Sequence, residues 1–140
     1  MYSERVQRII ELKEKLLEDK ERQMQLCRTE EERILSNINR LVLELASQHE
    51  ILAAMDFSGQ DFLVFNNYLA FLDANLLSFR REQEKVARRI EETRAELTEL
   101  LREIKMLETL KAKALSNSKK SANRKEQKRL DDIALRGVKE

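Results

Sequence analysis

The chain has 140 residues, room for one domain at most. Charged residues make up 38% and hydrophobic residues 41%, with no Pro and two Gly; enough Leu, Ile and Val remain to bury, which excludes a disordered chain, and so few helix breakers point to long helices or a coiled coil. The net charge of +1 conceals an asymmetry: Lys111–Arg129 carries eight basic residues and one acid, net +7, so the remainder sums to −6.

The N-terminus, MYSERVQRII, is charged from residue 4 and does not read as a signal peptide. No uninterrupted 18-residue apolar run follows, which speaks against a membrane span. The single Cys27 has no internal disulfide partner, and a reducing, cytoplasmic setting fits it.

The first element is a helix over about 3–56. Stepping alternately by four and three from Val6 to Met55 meets fifteen positions, eleven of them apolar, without a break in phase. Lys13, Lys20, Glu31 and Gln48 are the polar intrusions. A heptad sustained for this long implies a left-handed supercoil. Next comes Ser58-Gly59-Gln60-Asp61, a capping box with Ser58 as N-cap and Asp61 three residues on; Phe57 and Phe62 flank it at the positions of a hydrophobic staple. The second helix, about 59–114, repeats the heptad from Phe62 to Ala114, with thirteen of sixteen positions apolar. So short a link forces the helices antiparallel.

The two seams share a register. Positions whose numbers sum to 117 meet, among them Met55 with Phe62, Leu45 with Leu72, Cys27 with Ile90 and Ile10 with Leu107. The expected fold is all-α: a long antiparallel two-helix coiled-coil hairpin over 1–114, its turn near 56–60. A two-helix seam buries little, so the hairpin gains stability from a partner, and the end away from the turn is the softer half. After Ala114 the heptad fails. LSNSKKSANRKEQKR reads as loop or weak helix, making 115–140 a flexible, basic, weakly structured tail. Asn123 with Glu126 caps a short restart over 124–136, whose apolar edge is Leu130, Ile133 and Ala134.

The residues offer little chemistry. His49 and Cys27 lie 22 residues apart on one helix, about 33 Å at 1.5 Å per residue, too far to act together. There is no Gly-rich phosphate loop, and carboxylates on long solvated helices pair with Lys or Arg. Neither an enzyme, a cofactor nor a metal is expected. The basic segment has no aromatic side chain to stack on bases, so it reads as a solvated charge run or a docking tail for an acidic protein surface, not as a nucleic-acid site.

The aromatics are the unusual feature. Six of the seven lie between Asp56 and Phe79. Phe62, Phe65 and Phe79 occupy the seam. Val64, Tyr68 and Phe71 each fall one position before a seam residue (Phe65, Leu69 and Leu72), and Asn75 continues their line. A two-helix hairpin has no third layer to cover such a stripe, so it reads as an interface, the alternative being that it merely widens the seam near the turn.

Two segments resemble the flagellar FliJ family. EQKRLDDIALR, Glu126–Arg136, resembles the family's C-terminal motif through Gln127, Lys128, Leu130, Asp131, Asp132, Ala134 and Arg136. NYLAFLDANL is similar at Tyr68, Leu69 and Leu72. The resemblance implies a non-enzymatic stalk of the flagellar type III export apparatus. Its open end would enter and stimulate the export ATPase ring; a surface nearer the turn would contact the export-gate protein FlhA; and it would escort export chaperones. It implies a cytoplasmic protein, peripheral to the membrane at the flagellar base without inserting into it; the hairpin itself predicts a monomer in isolation. Under this analogy Tyr68, Phe71, Leu72, Asn75 and Phe79 face the gate. Arg124, Gln127, Lys128, Leu130, Asp131 and Arg136 face the ATPase. Helix 1 near the turn, LVLELASQHEI, lacks the aromatics some relatives carry there. The competing readings are the equivalent stalk of a virulence-type secretion system, an oligomeric coiled-coil scaffold or adaptor, and a nucleic-acid-associated coiled coil.

Overall fold

The structure is a computed structural model that describes residues 2–56 and 58–139. It contains two helices, α1 over Tyr2–Ala54 and α2 over Gly59–Lys139, packed together as a helical hairpin. Among the described residues there is no strand.

The turn forms as its residues dictate. The Asp61 backbone N–H donates to Ser58 Oγ at 3.3 Å, and the Ser58 hydroxyl donates to Asp61 Oδ2 at 2.8 Å. The first α-helical bond runs from the Phe62 N–H to the Ser58 carbonyl at 3.0 Å. Ser58 therefore caps a helix whose N-terminal amides lack intrahelical acceptors, and Asp61 adds a negative charge where the helix dipole favours one. The staple expected of Phe57 lies outside the described residues.

The chain forms two compact units. One comprises Met1–Asp19 and Leu97–Glu140, the other Lys20–Glu96. In the first, Val6, Ile10 and Ile104 form a buried cluster, with Leu17 and Leu107 packed against it. Gln7 Oε1 accepts from Lys111 Nζ at 2.7 Å, and Lys13 Nζ sits 2.7 Å from Glu103 Oε2. That carboxylate oxygen is closed off from solvent and receives no well-directed hydrogen bond, so the contact is one of charge. In the second unit Met24, Ile34, Ile38, Leu41 and Leu45 of α1 are buried, as are Leu69, Leu72, Leu76, Val86 and Ile90 of α2. Lys20 pairs with Glu96, Arg33 with Glu82 and Glu44 with Tyr68. In both units the partner's number falls as the α1 number rises, which makes the helices antiparallel. The seam lysines Lys13 and Lys20 thus reach past the apolar line to a glutamate of the other helix, as long amphipathic side chains do.

Two expectations change. α2 does not stop near 114. It continues as one helix to Lys139, and Asn123 lies inside it, so no capped restart exists at 124. The sequence between Ala114 and Gly137 contains no Pro or Gly, so nothing in the backbone chemistry ends the helix there. Residues 116–137 are nevertheless all exposed. The second change is at the turn. Phe62, expected in the seam, is 47% exposed. Its seam partner Met55 lies one residue past the end of α1 and is itself exposed, so the buried seam does not extend to this pair.

One 18-residue window of α2 reaches a mean hydropathy of 1.2 with no more than two charged residues. By length and composition, then, one helix is apolar enough to cross a membrane, although no unbroken apolar run exists. The charge-poor stretch is Phe62–Phe79, whose one charged residue is Asp73. Within it Leu69, Leu72 and Leu76 face α1 and are buried.

Candidate functional site

The stripe before the seam is where exposed apolar area concentrates near the turn. Val64, Tyr68, Phe71 and Asn75 follow one another by four, three and four residues, which places them on one face of α2. Val64 is 71%, Phe71 60% and Tyr68 40% exposed. Asn75 is half-buried. Leu72 is buried in the hairpin and Phe79 half-buried. The structure therefore gathers Tyr68, Phe71 and Asn75 on an accessible face, and commits Leu72 and most of Phe79 to packing beneath it.

Tyr68 also touches α1. Its phenol donates to Glu44 Oε1 at 3.2 Å, and Gln48 Nε2 donates to the same oxygen at 2.9 Å. Burial of the ring, then the bond to Glu44 and that residue's charge, push the Tyr68 hydroxyl above the usual tyrosine value of 10.0. Reading the sequence missed Glu44 and Gln48 as members of the site. The available signal was positional: Glu44 precedes the seam residue Leu45 just as Tyr68 precedes Leu69, and in an antiparallel pair these flanks lie side by side. α1 adds Ile51, 40% exposed, on the same flank as Glu44, so the α1 side of the site is aliphatic and acidic rather than aromatic.

The distal segment forms a second surface. A continuous helix puts Arg124, Gln127, Lys128 and Asp131 on one face, at spacings of three, one and three. Gln127 Nε2 donates to Asp131 Oδ1 at 3.2 Å. Leu130 lies on the flank of this face and Arg136 turns away from it, so the six residues expected to act together do not share one face. Lys113 and Lys120 extend the Arg124–Lys128 line into a basic stripe. Leu130, Ile133 and Leu135 are all at least half exposed.

Grooves between the helices are open channels of about 300 to 430 Å³; one of about 430 Å³ is lined mainly by Arg28, Glu31, Glu32, Glu91 and Arg94. Cys27 is half-buried in the seam and His49 exposed. Among the described residues no three of His, Cys, Asp and Glu are grouped to hold a metal ion.

The class this fold defines is that of a charged two-helix hairpin with exposed apolar and basic faces. The chain matches the family of the flagellar FliJ protein over residues 2–140, and it belongs to that family, which makes it a component related to flagellar export. No curated protein and no solved structure matches it.

Proposed function

We propose that the protein is a non-enzymatic stalk of the flagellar export apparatus. It binds the export ATPase ring and raises its turnover, links the ring to the export-gate protein FlhA, and escorts export chaperones. It works in the cytoplasm at the flagellar base, and inserts into no membrane. The observation that carries this reading is the family match along the whole length of a two-helix hairpin. Coupling is mechanical: an asymmetric hairpin in a six-fold ring touches its subunits unequally, and unequal contacts bias which subunit closes on nucleotide if they differ between the open and closed states.

The aromatic face is assigned to the gate and the basic distal stretch of α2 to the ATPase. The test is the rate of the flagellar export ATPase titrated with this protein. A rise that saturates near one hairpin per six ATPase chains supports the stalk reading. An unchanged rate with no co-elution overturns it. Removing residues 124–140 is expected to reduce the stimulation, and full stimulation by that shortened chain clears the segment of the role.

A further inference from the structure

The aromatic face is half-exposed, yet its central ring is not free. Tyr68 is the one member of the stripe with a bond to the opposite helix. Glu44 Oε1 accepts from the Tyr68 hydroxyl and, at 2.9 Å, from Gln48 Nε2. Gln48 is half-buried on the α1 seam one turn further along, so it bonds the carboxylate from a partly buried position. The order runs from seam to surface: α1 holds Gln48, Gln48 orients Glu44, and Glu44 holds the ring.

We infer that Glu44 is a positioning residue for the gate-facing surface, holding Tyr68 across the hairpin so that the face is formed before a partner arrives. The inference rests on the reading of the stripe given under Proposed function. A partly exposed side chain loses rotamer freedom when a partner immobilises it, and a ring already tethered has less to lose. Glu44 itself need not touch the partner.

Four full-length variants test this against purified gate protein: Glu44→Ala, Glu44→Gln, Tyr68→Phe and the double Glu44→Ala/Tyr68→Phe. Glu44→Ala and Tyr68→Phe are each expected to weaken gate binding about two- to tenfold with an unchanged melting curve. The double variant should be no weaker than either single one, because both remove the same bond. Glu44→Gln should bind nearly as the parent does, since its amide oxygen still accepts. Parent-like binding by Glu44→Ala, or additive losses in the double variant, overturns the inference.

A second readout needs no partner. In a Tyr2→Phe background Tyr68 is the only tyrosine, and its ionisation is read by ultraviolet absorbance. It should titrate above 10.0 and move down, though not fully back, in Glu44→Ala, because burial of the ring also contributes. Identical titrations would show that no tether exists, whatever the protein binds. If the titration shifts but the parent does not bind the gate, the assignment of the stripe falls and the positioning role falls with it, while the bond itself stands.

Discussion

Ile34 is the large side chain with no exposure at all, and its replacement isolates what the hairpin core contributes. Ile34→Ala is expected to cost about 2–4 kcal/mol in urea unfolding. Leu43→Ala, at a side chain 71% exposed, should stay within about 0.5 kcal/mol. Arg33 gives a prediction with a pH sign. It lies 2.7 Å from Glu30 and 3.7 Å from Glu82 of the other helix, and its hydrogen bond, chief among the causes, holds the Glu30 carboxyl below the usual 4.5. A depressed carboxyl contributes above its unfolded value and loses that contribution as pH falls through the folded one. The stability difference between parent and Arg33→Ala should therefore be present at neutral pH and disappear on acidification; a difference that persists in acid would assign it to packing of the Arg33 stem. At this scale the seam residues were legible because a four-three step is a geometric rule. The Tyr68–Glu44 bond was not, because surface pairing depends on which flanks face each other, and that needs the helix-to-helix register as well as the heptad.

α2 has one end decided by local chemistry and one that is not. Ser58 begins α2 with a bond to the Asp61 amide, and Ser58→Ala is expected to cost about 1 kcal/mol, read as a lower melting midpoint; no change would mean that the flanking helix packing alone fixes the turn. This start was legible because a capping box is a local pattern. The far end of α2 was not. The stretch SNSKKSANRK has no apolar period, and a helix without an apolar face leaves no periodic trace for a reader to find. α2 continues through it because neither Pro nor Gly intervenes before Gly137. Residues 116–137 are exposed throughout, and a helix held by propensity alone is marginal in water. Their amides should exchange with deuterium far faster than those of Val86–Ile104, where the seam is buried. Ending the chain after residue 114 should leave the melting midpoint unmoved, since the Gln7–Lys111 contact and the Val6–Ile10–Ile104 cluster remain. A lowered midpoint would show that the distal stretch packs on the hairpin in solution.

For the molecule as a whole, the open question in the sequence was whether each heptad seam is answered within the chain or by a second copy. Both arrangements satisfy the same apolar spacing, which is why heptads alone do not separate a monomer from a scaffold. Structurally, buried residues of α1 meet buried residues of α2 in each unit, and the glutamates that answer Lys13 and Lys20 come from the same chain. With the seam answered within one chain, unfolding is expected to be a one-molecule event. Light scattering should give a mass near 16.6 kDa, and the melting midpoint should not move over a hundredfold range of protein concentration. A dimer built on the seams would raise its midpoint with concentration, because association would contribute to stability by mass action. Among the exposed apolar side chains, Val64 and Phe71 near the turn and Leu130, Ile133 and Leu135 at the far end of α2 lie on the two surfaces assigned to partners. If mass does rise, Phe71→Ser and removal of residues 124–140 tell which of these surfaces joins the copies: the substitution that restores a monomer names the contact, and that surface is then withdrawn from the gate or the ATPase to which it is assigned.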